Sequence, residues 1–345
     1  MWGDMRTQHF PGEIRKRFRK GNLFMKKILA IVMVLMLAVC AAASAESFEL
    51  KISTTQTETS MIYAGLKAAA DEIMEKTNGD LKVTIYPSSQ LGGEEDMIDQ
   101  AIAGVGIAVL TDAGRLSNYV NDIGIFNMAY FADNYDDGLK IMATDTFKGW
   151  TDELVDQGIR VLCFNYYDGA RSFMQNKEIK TPEELKGLVT RTPGAAPYNA
   201  SIEAMGATPY NIAWSEVYNS LQTKSIDACE VQYTSAVSSH IYEVCKFVTK
   251  TEHINLFNSL ICGEAWFAKL PDDYKQIVLD ACYNNALANA RDIEAAQADL
   301  EQTLIDNGMT ITEVDKDLFK DAAAAGYEKL GWTDLRAAIY AEAGL

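Results

Sequence analysis

Apolar and polar residues change rhythm several times along the 345-residue chain, and each change predicts an element. From Phe48 to Ser53 they alternate with a period of two, as in a half-buried strand. Ile62, Leu66, Ala69, Ile73 and Met74 then share one face of a helix over 60–76, and Asn78-Gly79 supplies its stop. Leu81, Val83 and Ile85 alternate again, so this stretch predicts a β-α-β unit and a parallel sheet. Beyond the Gly92-Gly93 turn, 94–103 reads as a helix, while 107–110 and 159–164 read as short buried strands. After the turn at Lys186-Gly187, Leu188 to Arg191 is an extended run. Pro193 biases Thr192 away from the helical region, which places Arg191 near that strand's C-terminal end. Ser215 is a candidate N-cap for a helix carrying Glu216 in its first turn and Val217, Tyr218 and Leu221 on its apolar face, with Trp214 on the loop before it. Asp227 to Glu230 then follows a strand-like turn. Pro271 opens a helix whose apolar spacing continues over 277–304 without Pro or Gly, longer than an ordinary globular helix. It stops at Asn307-Gly308, and the Ala-rich stretch 316–345 reads as helical.

Arg191 and Trp214 are the first candidates for chemistry. The C-terminal edge of an open α/β sheet faces the crevice where small ligands bind. A guanidinium offers a planar fork of donors that matches a carboxylate, and an indole offers a stacking face with one donor. On spacing alone, a lone arginine at a strand end is usually a solvated charge and a lone tryptophan is usually core, so that reading stands beside the anion site.

The amino end changes the picture of where the protein works. Lys26-Lys27, the apolar run Ile28–Val39 and Ala43-Ser44-Ala45 before Glu46 form a secretory signal peptide over 25–45, and the basic residues 1–24 read as an over-long start region ahead of Met25. The apolar run falls short of the ~20 residues that span a bilayer. Leu37-Ala38-Val39-Cys40 resembles a lipobox, although Val39 stands where a small residue is expected, so a lipid anchor at Cys40 is an alternative fate. The expected location is exported, periplasmic or cell-surface.

Removing residues 1–45 leaves 23 Lys/Arg against 46 Asp/Glu, a net charge of −23 compared with −17 for the whole chain. Such acidity excludes nucleic acid as a partner and makes any anion site a local exception to a repulsive field. Five cysteines remain, Cys163, Cys229, Cys245, Cys262 and Cys282, without C-x-x-C spacing, so neither a disulfide framework nor a zinc site is signalled. An odd thiol count in an exported protein fits a reducing or anaerobic setting. Hydrolase, zincin, P-loop and dinucleotide motifs are absent, and His240 and His253 are the only histidines past residue 45. Glu94-Glu95 and Glu183-Glu184 fall at helix starts, where acidic side chains favour the dipole, and read as structural.

The stretch around Arg191 carries a resemblance. K-G-L-V-T-R-T-P over 186–193, G-A-T-P over 206–209, W-S-E-V-Y-N-S-L-Q-T over 214–223 and D-A-C-E over 227–230 closely resemble the extracytoplasmic solute-binding proteins of tripartite ATP-independent periplasmic (TRAP) transporters. E-K-T-N-G-D-L-K-V-T-I-Y-P-S-S-Q-L-G-G-E-E over 75–95 is similar to another block of that family. The resemblance implies an α/β, two-domain periplasmic-binding-protein-like fold with mixed, mostly parallel sheets, a ligand cleft between domains and a long helix spanning both. Domain I would comprise 48–168 plus 258–297, domain II 169–257 plus 298–345, with two crossover strands as the hinge and the last stretch packed on domain II.

By the same resemblance, Arg191 and Arg171 match carboxylate-facing arginines, and Trp214 matches the aromatic wall. Thr55, Asp112 and Arg115 match first-domain positions that line or support the pocket. Glu230 and Val231 occupy the last two places of a D-G-x-E-N pattern. Ala228 and Val231 depart from it, and the lost amide makes sialic acid a less expected ligand than a smaller or less hydroxylated acid. Thr55 stands where sialic-acid binders have Asn. The segment Phe126–Phe131 lacks the family's proline, which leaves its turn open. The function implied is capture of a small organic acid by a monomer, without enzyme activity, metal or cofactor, and delivery to TRAP membrane subunits. A sensory module for a membrane receptor and an exported enzyme acting on organic acids are the alternatives.

Overall fold

A computed structural model describes residues 48–345; the segments expected to be a start region and a signal peptide, with Cys40, lie outside the described residues. β1 (Phe48–Ser53), α1 (Met61–Lys76) and β2 (Leu81–Tyr86) form the expected unit, and the two strands are parallel. Ser60 caps α1 by accepting a hydrogen bond from the Tyr63 amide. α2 (Glu94–Ile102) leads into β3 (Ile107–Asp112), which pairs with the free side of β1. Next come α3 (Ala113–Leu116), a 3-10 turn over Asn121–Asn127, α4 (Tyr135–Met142) and α5 (Asp145–Asp156). The strand expected over 159–164 does not stop there: β4 runs from Ile159 to Gln175.

Beyond β4 lie β5 (Val189–Thr192), α6 (Ala196–Ala204), β6 (Thr208–Asn211), α7 (Trp214–Gln222), β7 (Ala228–Gln232) and α8 (Tyr233–Ser238). β8 (Phe247–Gly263), α9 (Glu264–Phe267), α10 (Asp272–Asp306), β9 (Thr310–Glu313), α11 (Lys316–Leu330) and α12 (Thr333–Ala343) complete the chain.

The strands form one mixed sheet in the order β2-β1-β3-β8-β4-β7-β5-β6, with β9 against β8. Pairing is parallel among β2, β1 and β3 and again among β7, β5 and β6, and antiparallel where these groups meet β8 and β4. β4 and β8 are each 17 residues long and pair with one another from end to end. One end of β8 continues into the β3 side and the opposite end of β4 into the β7 side, so this ribbon joins two halves of an α/β, two-domain architecture. Register shifts interrupt the ribbon at four places between Val161 and Phe173. Each such irregularity bends the strand locally and strengthens its twist.

The long helix is confirmed as α10, 35 residues from Asp272 to Asp306. It packs on α1, β4 and α8 and so touches both halves. Gly65 lets it approach α1 closely: a Cβ there would lie 2.7 Å from Asn289, whose amide donates to the Met61 carbonyl at 2.9 Å.

Three local readings need correction. The segment between Arg191 and Trp214 holds an unanticipated helix, α6, which opens with Pro197 in its first turn. Ala213, not Ser215, is the N-cap of α7, so Trp214 is the first residue of the helix rather than a loop residue. The C-terminal stretch is two helices that part at Gly331: α11 packs on α6, whereas α12 packs on α4, on the β3 side. There Tyr340 Oη donates to the Phe131 carbonyl at 2.5 Å and Arg336 to the Tyr130 carbonyl at 2.7 Å.

Candidate ligand-binding site

Between the halves lies a cavity of about 490 Å³, walled by residues of both. From the β3 side come the loop after β1 with Thr55 and Gln56, the start of α2 with Glu94 and Glu95, Asp112 at the end of β3 and Arg115 in α3. From the β7 side come Arg191, Trp214, Val231 and Gln232, and from the ribbon itself Arg171, Leu256 and Asn258. Seven of the eight residues expected at the site, Arg191, Arg171, Trp214, Thr55, Asp112, Arg115 and Val231, line this cavity; Glu230 does not.

Glu230 is fully buried behind Arg171. Its Oε2 accepts from Arg171 Nε, while its Oε1 and its backbone carbonyl accept from Nη2 at 2.8 and 2.6 Å. Gln232 Oε1 takes one hydrogen of Nη1 at 3.2 Å. A guanidinium has five N–H groups, so a single Nη1 hydrogen is left over. Burial pushes Glu230 up, but Arg171 and the nearby His253 outweigh it, and the carboxyl is held below its usual range. Burial would lower Arg171, yet the Glu230 charge and hydrogen bonds raise it above its ordinary value. His253 Nε2 lies 3.6 Å from Glu230 Oε2, its ring stacks on Phe173, and burial pushes its pKa down.

Arg191 is held differently. Nε donates to the Ile212 carbonyl at 3.1 Å, and the guanidinium carbon sits 5.3 Å from the centroid of the Trp214 ring. Its terminal nitrogens have no hydrogen-bond partner, and it forms no ion pair, among the described residues. Burial, helped by the charges of Arg171 and Arg115, lowers its pKa to about 10. It is still a cation at neutral pH.

On the opposite wall Arg115 pairs with Glu94 at 3.1 Å and with Glu95. Asp112 caps α3 by accepting from the Arg115 amide at 3.2 Å. Burial raises the pKa of both Asp112 and Glu94. Glu94 and Glu95 therefore belong to the cavity wall as well as to a helix start, which the dipole reading had overlooked. Gln56, Gln232 and Asn258 were also missed.

A family model of bacterial extracellular solute-binding proteins, family 7, matches residues 52–332. The chain belongs to that family. It is a TRAP-type solute-binding protein, and the relatives that follow span from 67% to 88% of it. The sialic acid-binding periplasmic protein of Vibrio cholerae is 27% identical over 88% of this chain and 95% of its own. The C4-dicarboxylate-binding periplasmic protein of Rhodobacter capsulatus is 28% identical over 67% of this chain and 71% of its own. Among solved structures, the TRAP periplasmic solute-binding protein of Ochrobacterium anthropi with bound L-fuconate superimposes with a TM-score of 0.83 at 26% identity, covering 86% of this chain and 99% of that one. The family-7 protein contains no helix long and apolar enough to cross a membrane and no metal-ligating cluster among its described residues.

Proposed function

We propose that this family-7 protein captures a small organic monocarboxylate in the cavity, closes on it by bending the β4–β8 ribbon, and delivers it to TRAP membrane subunits after export by the segment 25–45. The observation that carries the reading is the bonding state of the cleft arginines. Arg171 faces Glu230 and Arg115 faces Glu94 and Glu95, whereas Arg191 is buried without an acidic partner among the described residues. One uncompensated fork supports one carboxylate. A second carboxylate would meet Asp112 and Glu94, which supports hydroxyl donors there instead. Leu110, Leu256 and Val231 add an apolar wall, in keeping with an acid less hydroxylated than sialic acid. In this reading domain I is 48–168 with 258–297, and domain II is 169–257 with 298–345, except that the α12 contacts support moving 333–343 to domain I.

A thermal-shift panel of monocarboxylates, dicarboxylates and neutral sugars tests this. A true ligand at ~100 times its dissociation constant adds ~2.7 kcal/mol of stability. Stabilisation by neutral sugars and by no acid overturns the carboxylate reading; preference for dicarboxylates overturns only its monoanionic part. Transport by TRAP membrane subunits in proteoliposomes, with and without the protein, tests delivery.

A further inference from the structure

Asp168 stands on the ribbon joining the two halves, fully buried, and no arginine or lysine forms an ion pair with it among the described residues. Its side chain nonetheless accepts hydrogen bonds from three directions. Oδ1 accepts from Thr234 Oγ1 at 2.7 Å, and Oδ2 accepts from Gln56 Nε2 at 3.1 Å and from Gln232 Nε2. Gln56 comes from the loop after β1, on the β3 side, while Gln232 and Thr234 come from the β7 side. Next in sequence, Gly169 has φ +96°, a conformation L side chains rarely adopt, with its Cα facing the Gln297 amide on α10. The carboxylate is thus a buried joint between the two walls of the cleft, at a point where the backbone itself is bent.

An ionised carboxylate only accepts hydrogen bonds. Both glutamines must therefore turn their NH2 groups toward Asp168 and their carbonyls away from it. For Gln232 the carbonyl then meets Arg171 Nη1, and its NH2 also reaches Ser235 at 3.0 Å. For Gln56 the carbonyl is left for the cavity that this residue lines. A chain of contacts runs from Gln56 through Asp168 and Gln232 to Arg171 and on to Glu230.

We propose that Asp168 is a positioning residue for solute capture: it sets which way the Gln56 and Gln232 amides point, thereby aims the one spare Arg171 N–H into the cleft, and couples that arrangement to the angle between the two walls. The role of Arg171 toward solute rests on the proposed function; the coupling of the walls does not.

Two variants separate the roles. Asp168→Asn is close to isosteric, and its oxygen can accept from both glutamines while its amide donates to Thr234, whose hydroxyl still has the Asp168 carbonyl to bond at 2.9 Å. Asp168→Ala leaves both amides without an acceptor. Spin labels at Lys67→Cys on α1 and Gln222→Cys on α7, both exposed, report the distance between the halves without any solute. The Ala variant is expected to broaden and shift that distance distribution, and the Asn variant to reproduce the wild type. With sodium L-fuconate as the calorimetric probe, the Ala variant is expected to lose about tenfold or more in affinity and the Asn variant to stay within about threefold. An unchanged distance distribution in the Ala variant, or equal shifts in both variants, overturns the proposal. Should the Ala variant fail to fold, a wild-type distribution in the Asn variant supports the joint and an altered one overturns it. Failure of L-fuconate to bind wild type bears on the proposed ligand class alone, because the label distances are read without it.

Discussion

Glu230 and Arg171 form a closed pair inside the protein: both carboxylate oxygens and the backbone carbonyl of one are engaged by Nε and Nη2 of the other, with 0% and 6% of the side chains exposed. A buried pair of this kind is tolerated because each partner cancels the other, and removing one strands a desolvated charge. Glu230→Ala is therefore expected to destabilise the protein by roughly 3–5 kcal/mol. Chemical denaturation reads this directly. A loss below about 1 kcal/mol would mean that water reaches Arg171 in the folded state.

Arg191 behaves in the opposite way. It has no carboxylate to strand, so Arg191→Lys is expected to leave the unliganded protein as stable as wild type to within about 1 kcal/mol. Lysine keeps the charge but loses the planar fork, and truncating a buried charge pair commonly costs ~2–5 kcal/mol of binding. Calorimetry on the best ligand from the thermal-shift panel should show a loss of roughly 30-fold or more. Affinity within about twofold of wild type would return Arg191 to the status of a strand-end charge.

Trp214 sits with the Arg191 guanidinium 5.3 Å from its ring centroid, half-buried at the first position of α7. Ligand pairing with Arg191 should change the field at the indole, so tryptophan emission is expected to shift on saturation. Trp214→Ala should abolish that shift and weaken binding by about 1–2 kcal/mol, the scale of a partly desolvated cation–π contact plus lost packing. The Ala variant binding as tightly as wild type would make the ring plain core.

Asp168 carries a pH signature. Burial raises its pKa to about 6 from an ordinary value of 3.8, against the opposing pull of Thr234, Gln232, Arg171 and Gln56. The folded state then binds this proton more tightly than the unfolded one, so the ionised group costs stability above about pH 6, and the cost disappears as pH falls below about 4. The size is roughly 2–3 kcal/mol at neutral pH. Asp168→Asn is expected to be more stable than wild type by up to that amount at pH 7, with the difference closing toward pH 4. Of the neighbours that set this pKa only Arg171 is charged, and it does not titrate in this range, so subtracting the two stability profiles isolates the one group. A pH-independent difference would contradict the assignment.

The sequence disclosed the parts of the site that local pattern carries. Arg191 was legible from the turn before its strand and the proline after it, and α10 from an unbroken apolar period. The network behind the site was not legible, because it depends on which strands lie side by side. Arg171 is opposite Gln232 only in the antiparallel register of β4 with β7, 61 residues apart along the chain. Asp168 meets Gln56 across 112 residues. Glu230 was placed at the ligand by its match to the D-G-x-E-N pattern, and that pattern does not disclose that its carboxylate is spent on Arg171. The helix α6 was hidden by Gly194 and Pro197, which read as loop when no partner surface is known.

The packing of α12 on α4 has a mechanical consequence. The two strands of the ribbon are hydrogen-bonded neighbours and act as a single flexible strip, and a strip can twist about its length as easily as it bends. The carboxy-terminal segment adds a second connection between the halves, because α11 packs on α6 and on β8 while α12, a few residues later, is fastened to Phe131, Tyr130 and Thr146. With that second connection in place, torsion between the halves would load the short link at Gly331. The surface that the protein presents to a membrane partner would then arrive in one rotational setting, whichever solute lies inside.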